Sequence, residues 1–412
     1  VTPAASVWIW NPDDNQEFKL RMNWFQFGYH KRFSPTSHLL AGLRYVNSNG
    51  ELENPDHETD LSGFAHKRNE MRNIALGIRH MLTLHEDHQI SYGLDYNFLN
   101  GIIKEDWPHV YFKGILLKKF SIERVSLISH LSDRWTILPG ITLDAGLFLS
   151  YYTTEGRSRA SDTSLLIAYL FEFDKNTFKL NPRVGISLDL GKNGVMRIAY
   201  QKRSTPGFAG ELAPVGTSGL IPPTFDIEFN SADDVQGSIE YELTKKTFIK
   251  ASVGYEKLSD LSTFGGDKKA QLFYSRMAIN QILGRHFSFS ARYHYNDSKY
   301  LDGSGREVYG VPRHSGDARL VFVHPSELYL SLVEYYVGDM FADSNNRIRL
   351  KGYFITGFYA QKELFKKRVL LSLGVDNLFN QSYKMIDRYD YWYMGPLPAK
   401  GRVFSFRMEY RF

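Results

Sequence analysis

The feature that most constrains this chain is a strict alternation of apolar and polar residues. It is clearest in the C-terminal stretch VFSFRMEYRF, where every second side chain is apolar and the others are polar or charged. A period of two residues is that of a β-strand with two different faces. The pattern therefore predicts a final strand whose apolar face consists of Phe404, Phe406, Met408, Tyr410 and Phe412.

The alternation is not confined to the end of the chain. It recurs in the segments 89–98, 141–150, 183–190, 249–256 and 287–296. Their polar positions are mostly Gly, Ser, Asp, Arg and Asn, with few of the long Lys and Glu side chains expected on a solvent-exposed face. Short polar residues are typical of a crowded, wet lumen, and the Tyr and Phe that end many apolar sets are typical of an aromatic girdle. The segments therefore favour an all-β transmembrane barrel.

Composition is consistent with a barrel and excludes several other classes. The chain has 412 residues and no cysteine, so it has neither a disulfide framework nor thiol chemistry. It contains no apolar run near the ~18 residues that a transmembrane helix requires. A net charge of +5 is too small to indicate nucleic-acid binding. The mean hydropathy of −0.34 fits a barrel, because each strand has one polar face and the loops are wet.

Short and long connections alternate along the chain, which predicts two different rims. Outer-membrane barrels have short periplasmic turns and long extracellular loops. The short turns are predicted at 34–37, 85–88, 133–140, 189–194, 244–247, 283–286, 324–327 and 363–368. The long loops are predicted at 47–70, 99–123, 153–180, 203–233, 257–270, 297–315, 337–350 and 381–401.

Counting strands between these connections predicts an antiparallel up-and-down barrel of about eighteen strands. The last strand must run toward the periplasm, as does segment 17–33, so SVWIW at 6–10 is the first strand. Segment 164–173 leaves the count open, since it is either a loop hairpin or an additional strand. An open sheet edge is unstable in lipid, so we expect 6–10 to pair with 403–412. Residues 1–412 are then a single barrel domain.

The C-terminal region resembles TonB-dependent outer-membrane receptors. VDNLFNQSY at 375–383 is similar to the family's penultimate strand motif through Asn377, Leu378, Phe379 and Tyr383. PAKGRVFSFRMEYRF at 398–412 is similar to its last turn and strand through Gly401, Arg402 and Phe412. The segments 181–190 and 194–201 resemble a mid-barrel hairpin of the family.

The resemblance covers the barrel and implies a location in the outer membrane of a Gram-negative bacterium. In the family a plug domain and a TonB box precede the barrel, and neither is found in this sequence. The chain begins with Val1, and we interpret it as part of a longer precursor. TonB, or another periplasmic partner, would then act through a segment upstream of Val1. The terminal aromatic residue and the apolar set behind it look like the signal that the barrel-insertion machinery reads. Lipid and lipopolysaccharide are the other expected partners, and nucleic acid is not.

No catalytic constellation is found in the sequence. The nucleophile, zinc-protease, Walker and dithiol motifs are all absent, so we predict neither an enzyme nor a cofactor or metal site. HEDH at 85–88 is interpreted as a hairpin turn. The best candidates for ligand contact are aromatic and charged residues of the last long loop, where girdle packing is the alternative reading. They are Arg388, Tyr389, Asp390, Tyr391, Trp392 and Tyr393.

Charged residues at polar positions of the strands are candidates for lining the lumen. Opposite charges on neighbouring strands are expected to pair, so a net positive lumen and a neutral one both remain open. The candidates are Arg183, Arg197, Lys250, Arg292, Arg407, Arg411, Asp95 and Asp144.

The predicted function is transport: a barrel that passes or receives a solute through a polar lumen gated by its loops. The alternatives are an export conduit for a polysaccharide, a polypeptide or a threaded partner, and a structural or adhesive barrel with a closed lumen. The Gly- and Pro-rich segment 207–225 would be either a loop that folds into the mouth or a flexible surface loop.

Overall fold

The structure is a computed structural model that describes most of the chain. The described residues are 2–10, 17–53, 66–108, 115–162, 167–204, 231–263, 266–365, 367–386, 396–399 and 401–410. They are all-β, and they contain no helix long and apolar enough to cross a membrane.

The described residues form twenty-two strands. The first eleven are β1 (Thr2–Trp10), β2 (Glu17–Ser34), β3 (Ser37–Glu53), β4 (His66–His85), β5 (His88–Pro108), β6 (Ile115–Leu138), β7 (Ile141–Asp162), β8 (Ile167–Asp189), β9 (Gly194–Ser204), β10 (Ser231–Thr244) and β11 (Thr247–Thr263). The others are β12 (Gly266–Leu283), β13 (Phe287–Tyr300), β14 (His314–His324), β15 (Leu328–Val337), β16 (Met340–Phe341), β17 (Arg349–Leu350), β18 (Tyr353–Leu364), β19 (Val369–Asp376), β20 (Lys384–Ile386), β21 (Pro396–Pro398) and β22 (Val403–Tyr410).

Eighteen of these strands belong to one sheet, as the sequence predicts. Consecutive strands pair antiparallel from β1 to β7 and from β11 through β15, β18 and β19 to β22. The strands β7 to β11 are neighbours in the same sheet. The remaining strands form two small ribbons, β16 with β17 and β20 with β21. Residues 167–173 belong to β8 itself, so no additional strand disturbs the count. The pairing of 6–10 with 403–412 stays a prediction.

The sheet has an apolar face and a polar face, and their exposure is the reverse of that in a water-soluble protein. The apolar face carries large exposed side chains such as Leu131, Val253 and Met277. The polar face carries side chains that are almost fully buried, such as Ser150, Gln201 and Glu256. Paired residues lie on the same face, which fixes the assignment from strand to strand.

The chain divides into two compact units. Unit 1 comprises Val1–Ile186, Ala199–Ile221 and Phe229–Ala232, and its strands β4 to β7 have 20 to 24 residues each. Unit 2 comprises Ser187–Ile198, Pro222–Glu228 and Asp233–Phe412. Most of its sheet strands are shorter, and loops with structure of their own connect them.

Several strands of unit 1 are longer than predicted. The segments 99–108, 115–123 and 153–162 were expected in loops but continue the strands β5, β6 and β7. Cross-strand ion pairs occur in these extensions, between Lys104 and Glu70 at 3.3 Å and between Arg157 and Glu172 at 2.5 Å. Such ion pairs can stabilise two paired strands where they extend into water. The alternation of apolar residues, on which the prediction depended, is not needed there.

Candidate functional site

The polar face of unit 1 contains a row of buried side chains that crosses several strands. His130 on β6 lies over Gly93 on β5, where an added Cβ would come within 2.6 Å of the imidazole. The imidazole stacks on Phe148 of β7 with ring centroids 5.4 Å apart, and the Arg183 guanidinium of β8 lies 3.9 Å from the centroid of that ring. Arg79 pairs with Gly93 from β4 and is also buried. The row holds an imidazole and the Arg183 guanidinium against one aromatic ring, and the buried Arg79 lies further along it.

A hydrogen-bond network lies beside this row. Asn181 Nδ2 donates to Ser150 Oγ at 3.0 Å and to Ser204 Oγ at 2.8 Å. Tyr152 Oη is 3.0 Å from the same Ser204 hydroxyl. All four side chains are buried, so these bonds satisfy groups that would otherwise be costly to bury. The network fixes β7, β8 and β9 to one another.

The polar face of unit 2 has a comparable contact across strands, which we call the tyrosine joint and define as Tyr274, Gly254 and Asp234. Tyr274 on β12 lies over Gly254 on β11, and a Cβ at that glycine would overlap its ring. The phenol donates to Asp234 Oδ1 on β10 at 2.8 Å, and Gln236 Oε1 is 3.3 Å away. Tyr274 and Asp234 are both fully buried. One side chain therefore spans three strands, which only a glycine on the middle strand permits.

Three ion pairs of the polar face share an asymmetry, which the Arg197–Glu240 pair, with 22% and 38% exposed, does not. In the Arg134–Asp144 pair, at 2.9 Å, the arginine is 53% exposed and the aspartate 7%. In the Arg292–Asp317 pair, at 2.8 Å, the values are 60% and 14%. The Arg407–Glu409 pair, at 3.0 Å, shows the same order with 74% and 35%. In each pair the guanidinium is more exposed than the carboxylate, and in the first two the carboxylate is covered.

Glu240 forms a small cluster with two cations from neighbouring strands. Its Oε1 lies 2.6 Å from Lys250 Nζ and 3.1 Å from Arg197 Nη1. The cluster has two positive charges for one negative charge. Lys250 is 48% exposed and Arg197 only 22%, so Lys250 supplies the accessible positive charge of this cluster.

Two loops at the long-loop end of unit 2 pack into one module, which we call the outer module and define as residues 301–313 and 338–352. Met340, Ala342 and Leu350 form its small apolar core with the partly buried Val337. The two loops are joined by hydrogen bonds from Gly310 N to Phe341 O at 2.8 Å and from Glu307 N to Asn346 Oδ1 at 2.7 Å. The two loops therefore hold each other in a defined structure at the long-loop end of unit 2.

The motif that carries the family resemblance forms a tight turn. Asn377 is buried and has a φ of 50°, and its side chain accepts from Gln381 N at 2.8 Å and donates to Gln381 O at 2.9 Å. Asn tolerates this left-handed conformation better than most residues. Asn380 Oδ1 accepts from Arg402 N at 2.8 Å, and Gly401 is required there because a Cβ would lie 2.8 Å from that oxygen. The Asn and Gly-Arg parts of the motif therefore contact each other.

Tyr383 completes the turn. Its ring packs on Tyr353 with centroids 4.3 Å apart, and its carbonyl accepts from Ala399 N at 2.9 Å. Burial, and then the negative charge of Asp376, raise the pKa of the Tyr383 phenol above its ordinary value. The adjoining ribbon of β20 and β21 flanks residues 387–395.

The predicted ligand-contact residues Arg388 to Tyr393 lie outside the described residues, as do Arg411 and Phe412. Phe404, Phe406, Met408 and Tyr410 are exposed on the apolar face. Of the predicted lumen residues, Arg183 and Asp144 are buried, and Asp95 is half-buried. Those in ion pairs are Arg197, Lys250, Arg292, Arg407 and Asp144.

Sequence reasoning missed the aromatic and imidazole side chains of the polar face. No prediction was made for His130, Tyr152 and Tyr274, and Phe148 stood among the polar positions of 141–150, yet all four are buried on the polar face. The signal that could have found two of them is a glycine at the paired position, Gly93 for His130 and Gly254 for Tyr274. Among the described residues no group of three or more potential ligands could hold a metal ion. In the HEDH turn, His85 and Asp87 form a pair at 3.5 Å.

Comparisons with known proteins were made for the sequence and for the fold. No protein-family model matches the sequence, and a search of curated proteins finds no match. The fold is similar to the ferric yersiniabactin uptake receptor FyuA from Yersinia pestis, with a TM-score of 0.68 and 13% identity over 95% of this chain. It is similar to the ferric citrate transporter FecA, with a TM-score of 0.66 and 12% identity over 96% of this chain. The copper transporter OprC gives 0.62 and 14% over 98%.

The chain spans 61% of the length of the FyuA structure, 73% of FecA and 70% of OprC. At such low identity the likeness shows the fold alone. It confirms the predicted fold class, the antiparallel up-and-down β-barrel of TonB-dependent receptors.

Proposed function

We propose that this chain forms the wall of a transport barrel in the outer membrane of a Gram-negative bacterium, and that it passes or receives an anionic solute. The observation that carries this proposal is the asymmetry of the ion pairs on the polar face. Arg134 and Arg292 are accessible while their partners Asp144 and Asp317 are covered. A solute on that face meets guanidinium groups first.

Ion pairing does not cancel this preference. A covered carboxylate stabilises its arginine, and the exposed N–H groups of the guanidinium stay available to carboxylate or phosphate groups of a solute. Charges of one sign along a narrow path also raise the local concentration of the opposite ion. The exposed positive charge of the Glu240 cluster acts in the same direction.

The location in the outer membrane is supported by two observations. The apolar face is exposed over many strands, and a contiguous apolar surface of that extent is covered by lipid or by a partner. The fold is that of an uptake receptor and of transporters. Transport of this kind uses no catalytic group, and TonB or another periplasmic partner would supply energy. Lipopolysaccharide and the insertion machinery are further proposed partners.

The whole chain is proposed to be one barrel domain, with residues 387–395 as a contact loop for the solute. Closure of the barrel by β1 and β22 can be tested with single cysteines placed in 6–10 and 403–410, because the chain has no other thiol. A disulfide between facing positions is expected in the inserted protein. Failure at every register would reject the closure.

The function is tested by ion selectivity in planar bilayers. Reversal potentials are measured in a KCl gradient for the wild type and for the double variant Arg134→Gln/Arg292→Gln. The wild type is expected to favour chloride over potassium, and the double variant to lose much of that preference.

The control is Arg157→Gln. Arg157 pairs with Glu172 and is 60% exposed, but it lies on the same side of the sheet as Leu147 and Leu149. The Arg157→Gln variant removes a comparable charge from the outside of the barrel wall, so the ion selectivity should not change. Cation selectivity, or equal effects of the variant and its control, would contradict an anionic solute. A lumen with no conductance would favour the closed structural barrel.

A further inference from the structure

The short-turn end of unit 2 carries exposed cations in adjacent turns. Lys245 and Lys246 lie in the turn between β10 and β11, and Arg285 lies in the turn between β12 and β13. All three are exposed, and none forms an ion pair with another described residue.

Backbone and side-chain hydrogen bonds hold these turns side by side. Ile282 N donates to Lys246 O at 2.8 Å, and Thr247 Oγ1 donates to Gln281 Oε1 at 2.7 Å. The next turn follows directly, since Val323 N donates to His286 O at 2.8 Å. The cations therefore form one patch, which we call the basic rim and define as Lys245, Lys246 and Arg285.

The basic rim is bordered by exposed apolar side chains on the same turns. Leu243 flanks the two lysines, and Leu283 and Phe287, which pair with each other on the apolar face, flank the arginine. Each turn thus combines a cation with apolar groups within three residues. Lys and Arg at a membrane–water interface extend their charge to the headgroups while their stems stay with the apolar surface.

The corresponding turn between β4 and β5 in unit 1 has the opposite sign. It carries Glu86 and Asp87, which are both exposed. Positive charge is therefore not a general property of the short turns. The turn between β18 and β19 also carries cations, but its Lys367 is paired with Glu327 and Glu363.

We propose that the basic rim binds the headgroup of an anionic phospholipid. A phospholipid matches both parts of the patch, because its phosphate meets the cations while its acyl chains cover the adjoining apolar groups. An acidic protein segment would match the cations alone and leave the apolar groups uncovered. The inference rests on the proposed location of the barrel in a membrane.

The test is native mass spectrometry of the full chain in a neutral detergent. Phosphatidylglycerol and phosphatidylcholine are titrated separately, and a glutamate-rich peptide is titrated as a third arm. The variant is Lys245→Gln/Lys246→Gln, with Arg285→Gln as a second variant. The control is Arg347→Gln/Lys351→Gln, which removes two exposed cations from the outer module. Gel mobility before and after heating confirms that each protein is folded.

Phosphatidylglycerol is expected to bind the wild type more tightly than phosphatidylcholine. Each cation near an anionic headgroup contributes about fivefold in affinity, so the double variant should bind phosphatidylglycerol more than about tenfold more weakly. The single variant should lose about fivefold, and the control should bind as the wild type does.

Three results would overturn the inference: equal binding of the two lipids, no loss in the double variant, or tighter binding of the peptide than of phosphatidylglycerol. The last would assign the patch to an acidic protein partner. If the wild type conducts anions in planar bilayers but shows any of these results, the lipid site fails and the proposed function does not.

Discussion

The apolar and polar faces of the same sheet differ in what covers their side chains. On the polar face, side chains from neighbouring strands cover one another, as His130 covers Gly93 and Tyr274 covers Gly254. On the apolar face, Leu131, Met277 and Phe404 are exposed, and the described residues place nothing over them. The polar face is thus completed by the chain itself. The apolar face is completed only by a second phase, which we propose is lipid.

The difference also concerns what each face tolerates. The polar face depends on shape and on satisfied hydrogen bonds, so small changes of volume there should be costly. The apolar face is expected to depend on hydrophobicity alone, so apolar exchanges there should be mild and charges should not. Four substitutions, taken from the largest expected effect to the smallest, test this comparison.

Gly254→Ala is expected to have the largest effect. The added Cβ would overlap the Tyr274 ring, and that ring cannot move without losing its hydrogen bond to buried Asp234. Overpacking and a lost buried hydrogen bond together should cost roughly 3–5 kcal/mol in the free energy of unfolding. Urea titration of the protein folded into vesicles measures this. Gly28→Ala is the control, because no atom lies within 4 Å of its added Cβ. Equal costs at the two glycines would contradict the claim that the Tyr274 ring requires a glycine beneath it.

Val253→Arg on the apolar face should cost ~2–4 kcal/mol if the residue lies near the bilayer midplane. Val253 is exposed there, and an arginine at that position must leave water for hydrocarbon. Ser252→Arg, one residue away on the polar face, should cost much less. The same vesicle titration compares the two, and a larger cost for Ser252→Arg would reverse the face assignment.

Tyr274→Phe keeps the ring over Gly254 and removes only the phenol hydroxyl. Asp234 loses its donor at 2.8 Å, so the unfolding free energy should fall by about 1–3 kcal/mol. Because the ring stays in place, the loss should be smaller than that of Gly254→Ala. A neutral result would show that other groups satisfy the carboxylate.

Arg157→Gln should have the smallest effect. Its ion pair with Glu172 has both partners at least half exposed, and exposed pairs contribute at most about 1 kcal/mol. Unfolding measured at low and high salt should differ little between this variant and the wild type. A large, salt-dependent loss would mean that the β7–β8 extension relies on charge more than we propose.

The sequence predicted the strand number and the two faces, because both follow from a local period of two residues. It underestimated the length of β5 to β8, since strands outside the apolar band need no alternation. It placed Arg183 on the polar face but did not indicate that His130 and Tyr274 would pack there, or that Arg183 would lie over the Phe148 ring. Those contacts depend on which residues pair across strands, as Gly93 does with His130, and one strand read alone does not contain that register.

The ion pairs were expected in part from the sequence. Arg197, Lys250 and Arg292 were candidates for the lumen, and neutralisation by opposite charges was an open alternative. The structure pairs all three. It leaves Lys250 and Arg292 more exposed than their carboxylate partners, but Arg197 less exposed than Glu240, which only the relative burial of each partner reveals. The ligand-contact prediction for Arg388 to Tyr393 stays a prediction.

The most direct test of the account is thiol accessibility along β11 and β13. Single cysteines replace Lys250, Ser252 and Ser290 on the polar face, and Ala251, Val253 and Ala291 on the apolar face, in a chain that has no cysteine of its own. The inserted protein is treated with a small water-soluble thiol reagent. The account predicts that the polar-face cysteines react and that the apolar-face cysteines are protected by lipid, alternating with every residue. Protection of the polar-face cysteines with reaction of the apolar-face ones, or equal reaction on both faces, would contradict it.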